Sequence, residues 1–285
     1  MLELKFFTNK PLRMKSIILL LPLIFLFPSC YQDVIDIDLS DINIQVIIVG
    51  RVAVGSIEGQ PYSNMVSISL PSNLSNTNEY LPIRDATVTI SDNAGIVFEL
   101  YEYSPGNYRN QNFSAVIGRT YTLNVITEGR EYSAVSQMPS PLELDSVRFM
   151  NYMFYPYYIS CYFKDRVNIE DYLLFRIFLN GVFTENYLYQ DKYSDGQNIT
   201  LDKFKFFANH GDDVTIQVIS LDKNVYKYFS MLLDEDNFID LGNLGEGEAS
   251  DLFPALSFNP TTNLTNNALG YFSAQAITTY RLVVP

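Results

Sequence analysis

The chain has 285 residues, of which 47% are hydrophobic and 18% charged, and its formal net charge is −13 at pH 7. This apolar fraction is enough for hydrophobic cores and excludes a wholly disordered chain, while the negative charge argues against binding to nucleic acid. One histidine and two cysteines exclude most His/Cys metal centres and any framework of several disulfides. The abundance of tyrosine (21) and phenylalanine (20) favours strands, because aromatic side chains suit a pleated, half-buried surface.

The N-terminal segment has the features of a lipoprotein signal. An uncharged run from Ile17 to Phe27 follows Lys15 and is much shorter than the roughly 20 residues of a membrane-spanning helix. Ser29-Cys30 closes the run and resembles the bacterial lipobox, which implies cleavage before Cys30 and acylation of that residue. We therefore interpret residues 1–29 as an upstream extension and signal peptide, with translation starting at Met14 or Met1. An ordinary secretory signal followed by a chance cysteine is the alternative.

Residues 30–41 follow the expected cleavage site and form an acidic tether with four aspartates. This segment also resembles the export signal of surface lipoproteins of Bacteroidota, and the sequence leaves both interpretations open. Asp36 and Asp38 lack the glycine and later glutamate of an EF-hand loop, so they do not predict a calcium site. The mature chain carries 15 basic and 31 acidic residues, a net charge of −16. Such a surface repels anionic lipids, so we expect acyl chains to provide the membrane anchor.

The next block, residues 42–138, shows the two-residue period of half-buried strands. The connections are short turns without amphipathic helices, and this favours an antiparallel, Ig-like or transthyretin-like β-sandwich. Pro139 and Pro141 then mark a linker between domains. The alternating segments centre on Ile44–Ile48, Val66–Leu70, Ala86–Ile90, Ile96–Leu100, Tyr121–Val125 and Tyr132–Ala134.

Residues 142–285 are predicted to form a second β-rich domain, in which Leu241 to Asn267 is a long loop. Val225, Tyr228, Phe229 and Leu232 follow helical spacing, and Asp222 precedes them as an N-cap, so one amphipathic helix over Lys223–Leu233 is expected to pack on the sheet. Asn180-Gly181 predicts a two-residue hairpin. The predicted strands are Ile159–Phe163, Leu173–Leu179, Val214–Val218 and Tyr271–Val284.

Three segments resemble the Bacteroidota lipoprotein family known as domain of unknown function 4249. Leu81–Ile90 is similar to the family's P-V-x-G-A-x-V-x-I strand, with Asp85 in place of a common glycine. Gly118–Tyr132 is similar to its G-x-x-Y-x-L-x-V…G-x-x-Y hairpin, an element shared with carboxypeptidase-regulatory-like and transthyretin-like modules. Asn263–Ala274 resembles the more specific N-x-x-G-x-x-G-Y-F-S-A signature. The resemblance implies an outer-membrane lipoprotein whose genes often neighbour TonB-dependent transporters, and it implies no catalytic residues.

Four features of the mature chain bear on chemistry or binding. His210 lies in a turn beside acidic residues, but no Gly-x-Ser-x-Gly elbow supplies a nucleophile. Cys161 lies in an alternating stretch and is expected to be a buried small hydrophobe. The aromatic stretch Asn151–Phe163 is either a tyrosine platform for a partner or part of the core. Asp145-Ser146-Val147 resembles the Bacteroidota O-glycosylation motif, which makes Ser146 a candidate modification site.

These observations predict a non-enzymatic accessory or binding lipoprotein of the outer membrane, held by a lipid on Cys30. The expected partner is a TonB-dependent transporter, and no cofactor, metal or nucleic acid is expected. A surface carbohydrate- or polymer-binding protein without an obligate transporter is the alternative. A hydrolase with a pair of carboxylates is a third hypothesis, because such residues pair in space rather than in sequence.

Overall fold

The structure is a computed structural model that describes residues 45–56, 58, 64–71, 81–152, 155–192, 194–206, 208–233 and 260–285. The expected signal peptide, Cys30, the acidic tether and most of the predicted loop over Leu241–Asn267 lie outside the described residues. Within these ranges, the structure contains no helix with the length and apolar character needed to cross a membrane.

The described residues fold mainly into β-strands with one short helix, as the sequence predicts. The strands before the proline pair are β1 (Ile47–Val54), β2 (Met65–Leu70), β3 (Leu81–Pro82), β4 (Thr87–Asp92), β5 (Val97–Ser104), β6 (Asn107–Arg109), β7 (Thr120–Thr127) and β8 (Arg130–Gln137). The elements after it are β9 (Ser146–Tyr152), β10 (Tyr155–Lys164), β11 (Tyr172–Leu179), β12 (Val182–Gln190), β13 (Asn198–Phe206), β14 (Asp213–Ser220), α1 (Lys223–Leu232) and β15 (Leu269–Val283).

Twelve of the strands form one large, open sheet. Its order is β12-β11-β14-β15-β1-β2-β6-β5-β4-β7-β8, and β3 pairs with β2 outside this path. A separate sheet has the order β13-β10-β9. The pair β1–β15 is parallel, whereas every other strand pair among the described residues is antiparallel. The fold is therefore a mixed, sandwich-like β arrangement.

The pairing of β1 with β15 corrects the expectation of two separate domains. The register runs from Ile47 opposite Leu269 to Val54 opposite Ala276, so main-chain hydrogen bonds join residues 42–138 to residues 142–285. Ile44–Pro285 accordingly form one compact unit. The proline pair at Pro139 and Pro141 stops one strand, but it does not restrict which strands pair across it. The first block is thus not closed without the last strand of the chain.

β1 lies at the centre of the sheet and is buried on both faces. Ile48 and Val52 contribute to a first core with β2, β4, β7, β8 and β15, while Ile47 and Val49 contribute to a second core with α1. A third core packs the β9–β10–β13 sheet against β11 and β14. Burial on both faces explains why β1 is a nearly continuous apolar run rather than a strict alternation.

Helix α1 confirms the predicted amphipathic helix and its N-cap. The Asp222 carboxylate accepts hydrogen bonds from the N–H groups of Asn224 and Val225, at 2.8 and 3.0 Å. The predicted stripe is buried in the second core, where it packs on residues of β1, β11 and β15. Its members are Val225, Tyr228, Phe229 and Leu232.

The C-terminal signature forms a structural connection around the start of β15. Gly270 has a φ of +94°, and a Cβ at this position would lie 2.1 Å from the main-chain oxygen of Ile48, so only glycine permits this approach of β15 to β1. The Asn263 side chain accepts from the N–H of Phe272 at 3.0 Å and donates to its carbonyl at 2.7 Å. It also donates to the Val135 carbonyl of β8 at 3.2 Å. These contacts fix β15 against both β1 and β8.

Candidate functional site

A cleft of about 380 Å³ lies where the two halves of the sequence meet. Its walls come from the end of β8 and the proline linker, the β10–β11 loop, the start of β11 and the start of α1. The polar side chains that line it include Arg166, Glu170, Asp171, Asp222 and Lys223. Because the two halves share the central sheet, the cleft is formed within one compact unit.

Arg166 and Asp171 form the most buried ion pair of the cleft. Asp171 is 2% exposed, and both of its carboxylate oxygens accept from the Arg166 guanidinium. Arg166 also donates to the main-chain oxygen of Ser140 at 3.3 Å. The pair therefore neutralises a buried carboxylate and connects the β10–β11 loop to the proline linker.

A second, more open group lies at the mouth of the cleft. Glu170 accepts from the Tyr172 hydroxyl and from the Lys223 ammonium, the latter at 3.0 Å. The hydrogen bond from Tyr172 and the nearby Lys223 charge lower the pKa of Glu170 below its ordinary value. Lys223 and Glu170 are about half exposed or more, so this pair contributes little to stability and remains accessible to a ligand.

Asp222 connects the cleft to the core of the sheet. Besides capping α1, it accepts a hydrogen bond from the hydroxyl of Ser136 on β8. The same hydroxyl accepts from the N–H of Ala274 on β15, at 2.8 Å. Burial raises the pKa of Asp222 above its ordinary value, although these hydrogen bonds favour the charged form. Its position is thus fixed by three elements.

The polar groups of the cleft are largely engaged in holding the main chain. The Ser220 hydroxyl accepts from the N–H of Leu142 at 3.2 Å, Asp171 is paired with Arg166 and Asp222 caps α1. What remains accessible is a cationic and an anionic group, Lys223 and Glu170, beside a tyrosine. This arrangement suits recognition of a small polar group or a peptide segment.

Of the candidate residues from the sequence, the structure describes Ser146 and His210, which lie on different elements. Cys30 lies outside the described residues. Ser146 is the first residue of β9, is partly buried and lies opposite Tyr162 of β10. His210 is exposed in the turn before β14. Neither Ser146 nor His210 is among the described residues that line the cleft.

Cys161 and its alternate neighbours Ile159 and Phe163 belong to the hydrophobic core, whereas Tyr158 and Tyr162 are partly buried. Ile159, Cys161 and Phe163 are each at most 1% exposed and lie in the third core. Burial raises the pKa of the Cys161 thiol to about 12, so it stays protonated and unreactive at neutral pH. The side chains of residues 151–157, and with them the first half of the predicted tyrosine platform, lie outside the described residues.

Sequence reasoning missed a cluster of three carboxylates beside the cleft. Asp165 follows β10, whereas Asp191 and Asp195 follow β12, and one oxygen of each lies within 4.8 Å of the others. Burial, together with the charges of Asp191 and Asp171, raises the pKa of Asp165 to about 6. The residues are separated by 26 positions or more between the loops, and only the adjacency of β10 to β13 and of β11 to β12 brings them together.

A mixed, sandwich-like β arrangement with a packed helix and a polar cleft defines the structural class of the described residues. Residues 33–281 match the family model described as domain of unknown function (DUF4249), and the chain belongs to this family. Neither the curated proteins nor the solved structures include a significant match to the chain.

Proposed function

We propose that the protein is a lipid-anchored accessory lipoprotein of the bacterial outer membrane that binds a partner or ligand for a TonB-dependent transporter. The observation that carries this proposal is the order of segments along the chain. An apolar run ending at Ser29-Cys30 is followed, three residues after that cysteine, by the family domain that begins at residue 33. A family domain that begins so soon after a lipobox-like cysteine is typical of a bacterial lipoprotein, and the transporter association rests on the resemblance to Bacteroidota proteins.

The arrangement of the cleft supports binding. Its buried carboxylate, Asp171, is held by Arg166, and the partly buried Asp222 is held by the N-terminus of α1. Lys223 and Glu170 remain accessible at the mouth of the cleft. A volume of about 380 Å³ lies within the range of small-ligand sites. This site would accept a short polar ligand or a loop of a barrel protein.

The charge of the mature chain supports attachment through acyl chains. At a net charge of −16 after cleavage before Cys30, the folded part is repelled by anionic headgroups. A single acyl chain gives only marginal membrane binding, whereas the two or three chains of a lipoprotein give stable anchoring.

Affinity purification from detergent-solubilised outer membranes tests the proposal. The full-length protein carrying a C-terminal tag should retain a barrel protein at stoichiometric amounts. A Lys223→Glu variant, which places two acidic groups side by side at the mouth of the cleft, should retain less of it, while Lys227→Glu on the exposed face of α1 serves as the control. Membrane-anchored protein without any barrel partner would refute the transporter association and favour the surface polymer-binding alternative.

A further inference from the structure

The carboxylates of Asp165, Asp191 and Asp195 form a cluster whose geometry matches a divalent cation site. One oxygen of each residue lies within 4.8 Å of the other two. Oxygens that share a calcium ion at 2.3–2.6 Å are separated by up to about 5 Å. The three ligand atoms are therefore already at the spacing that a single ion requires.

The hydrogen bonds of the cluster orient the carboxylates and leave ligand positions available. Asp165 Oδ2 accepts from the N–H of Gly196 at 3.0 Å. Asp191 Oδ1 accepts from the N–H and the hydroxyl of Ser194, at 3.1 and 2.9 Å, and Asp195 Oδ1 accepts from the N–H of Asn168 at 2.6 Å. In each case the recorded bonds use one oxygen and fix the orientation of the other.

The second oxygen of Asp165 is the observation that points to a ligand. Asp165 is 2% exposed, and its Oδ1 atom is buried without a hydrogen-bond partner. A buried carboxylate oxygen with no donor is costly, because it has lost its hydration without gaining a replacement. The groups near this carboxylate include the acidic side chains of Asp191, which lies within hydrogen-bond reach of Asp165, and of Asp171. A shared proton would satisfy only the Asp165–Asp191 pair, whereas a cation would satisfy the whole cluster.

Protein cations do not neutralise the cluster in the part of the chain that the structure describes. Three basic residues neighbour the cluster in sequence: Arg166 is bound by Asp171, and Lys164 and Lys192 form none of the ion pairs found between described residues. None of those ion pairs includes Asp165, Asp191 or Asp195. Three neighbouring carboxylates repel one another when no cation lies between them, and a single shared proton neutralises only one of the three. A divalent ion would remove this repulsion.

We propose that Asp165, Asp191 and Asp195 bind a calcium ion that connects the β10–β11 loop to the β12–β13 loop. The ligands are all oxygen atoms, which excludes the softer metals that prefer nitrogen and sulfur. The ligands come from two irregular loops, which suit the variable coordination of calcium, whereas magnesium requires a near-ideal octahedron.

The ion has a structural consequence for the cleft. The β10–β11 loop begins at Asp165 and also carries Arg166, Glu170 and Asp171, which line the cleft. The loop is connected to the β12–β13 loop by the bond from the N–H of Asp165 to the carbonyl of Gln197, at 2.9 Å. Calcium would therefore stabilise the β10–β11 loop, which forms one wall of the cleft. The proposal does not depend on the identity of the partner bound there.

Thermal unfolding of the purified full chain, first stripped with EDTA and then given CaCl₂ or MgCl₂, tests the site. Calcium at about 100 times its dissociation constant should raise the Tm by about 5 °C or more, and magnesium should have a smaller effect. Asp165→Asn and Asp195→Asn should each weaken calcium binding at least tenfold. Asp202→Asn, an exposed aspartate on β13, is the matched control and should respond like the wild type.

Each contrary outcome is decisive. An unchanged wild-type Tm in millimolar calcium would overturn the proposal, and an equal response to magnesium would overturn the assignment to calcium. Equal calcium responses in all variants would place the ion elsewhere, for example on the acidic residues 33–41. If Asp165→Asn does not fold, Asp195→Asn still decides the question, because Asp195 is exposed and its change leaves the core intact. Calcium-dependent slowing of hydrogen exchange in residues 165–171 and 191–197 would identify the same loops independently.

Discussion

Replacing Phe229 with alanine tests whether α1 is part of the core or a docking surface. The ring is 2% exposed and packs edge-to-face on Tyr271 at a centroid distance of 4.9 Å. It also contacts Tyr228 at 5.9 Å. Removing a buried phenylalanine ring from such surroundings costs about 3–5 kcal/mol through lost burial and the remaining cavity. For a chain of this size, that loss lowers the Tm by about 10 °C.

Urea unfolding followed by circular dichroism measures this loss. Lys227→Ala, on the exposed side of the same helix, is the matched control and should change the free energy of unfolding by less than about 0.5 kcal/mol. A Phe229→Ala loss below about 1 kcal/mol, accompanied by failure to retain a partner protein, would refute the structural role. It would instead identify the stripe as a recognition surface.

Three further predictions concern the β1–β15 pairing and the cleft. Gly270→Ala should prevent folding or cost more than about 4 kcal/mol in urea unfolding, whereas Gly95→Ala, at positive φ but with open space around its Cβ, should cost about 1–2 kcal/mol. Equal losses of unfolding free energy in the Gly270→Ala and Gly95→Ala variants would contradict the close approach of β15 to β1. Arg166→Met leaves Asp171 buried without its partner and should cost about 3–5 kcal/mol, most of which should return when Asp171→Asn is added. Burial raises the pKa of Asp222 above its value in the unfolded chain, so the contribution of Asp222 to stability should fall as pH rises through the folded pKa. The Asp222→Asn variant should flatten that part of the curve of unfolding free energy against pH. An unchanged curve would contradict the raised pKa of Asp222.

The local elements of the fold were accessible from the sequence because their signals are local. Alternation predicted β2, β4, β5, β7, β8, β10, β11, β14 and β15, and these strands are present in the structure. Asn180 and Gly181 both have positive φ, at 52° and 78°, as the predicted hairpin turn requires. The spacing of the apolar stripe and the position of Asp222 predicted α1 and its N-cap.

The parallel pairing of β1 with β15 was not accessible in the same way. The two strands are more than 200 residues apart, and alternation describes one face of a strand without naming its neighbour. The continuous burial of β1 is the signal that could have indicated a central strand, since strands covered on both faces lose their polar positions. The proline pair instead suggested a boundary that the sheet crosses.

The cleft and the carboxylate cluster follow from tertiary structure alone. Asp165 and Asp191 each follow a strand, where an aspartate is an ordinary turn residue. Their proximity depends on β10 pairing with β13 and on β11 pairing with β12, and no spacing in the sequence encodes it. The unpartnered oxygen of Asp165 distinguishes this cluster from the other acidic residues that the structure describes.

The lipid anchor at Cys30 is the central claim of the functional proposal, and the mass of the mature N-terminal peptide tests it most directly. Protein isolated from the membranes of its own cells and digested with a protease should yield a peptide that begins at Cys30 and carries the added mass of two or three acyl chains. The Cys30→Ala variant should lose that modification and move to the soluble envelope fraction. An unmodified Cys30 peptide, or a mature chain that begins elsewhere while still fractionating with the membrane, would contradict the account.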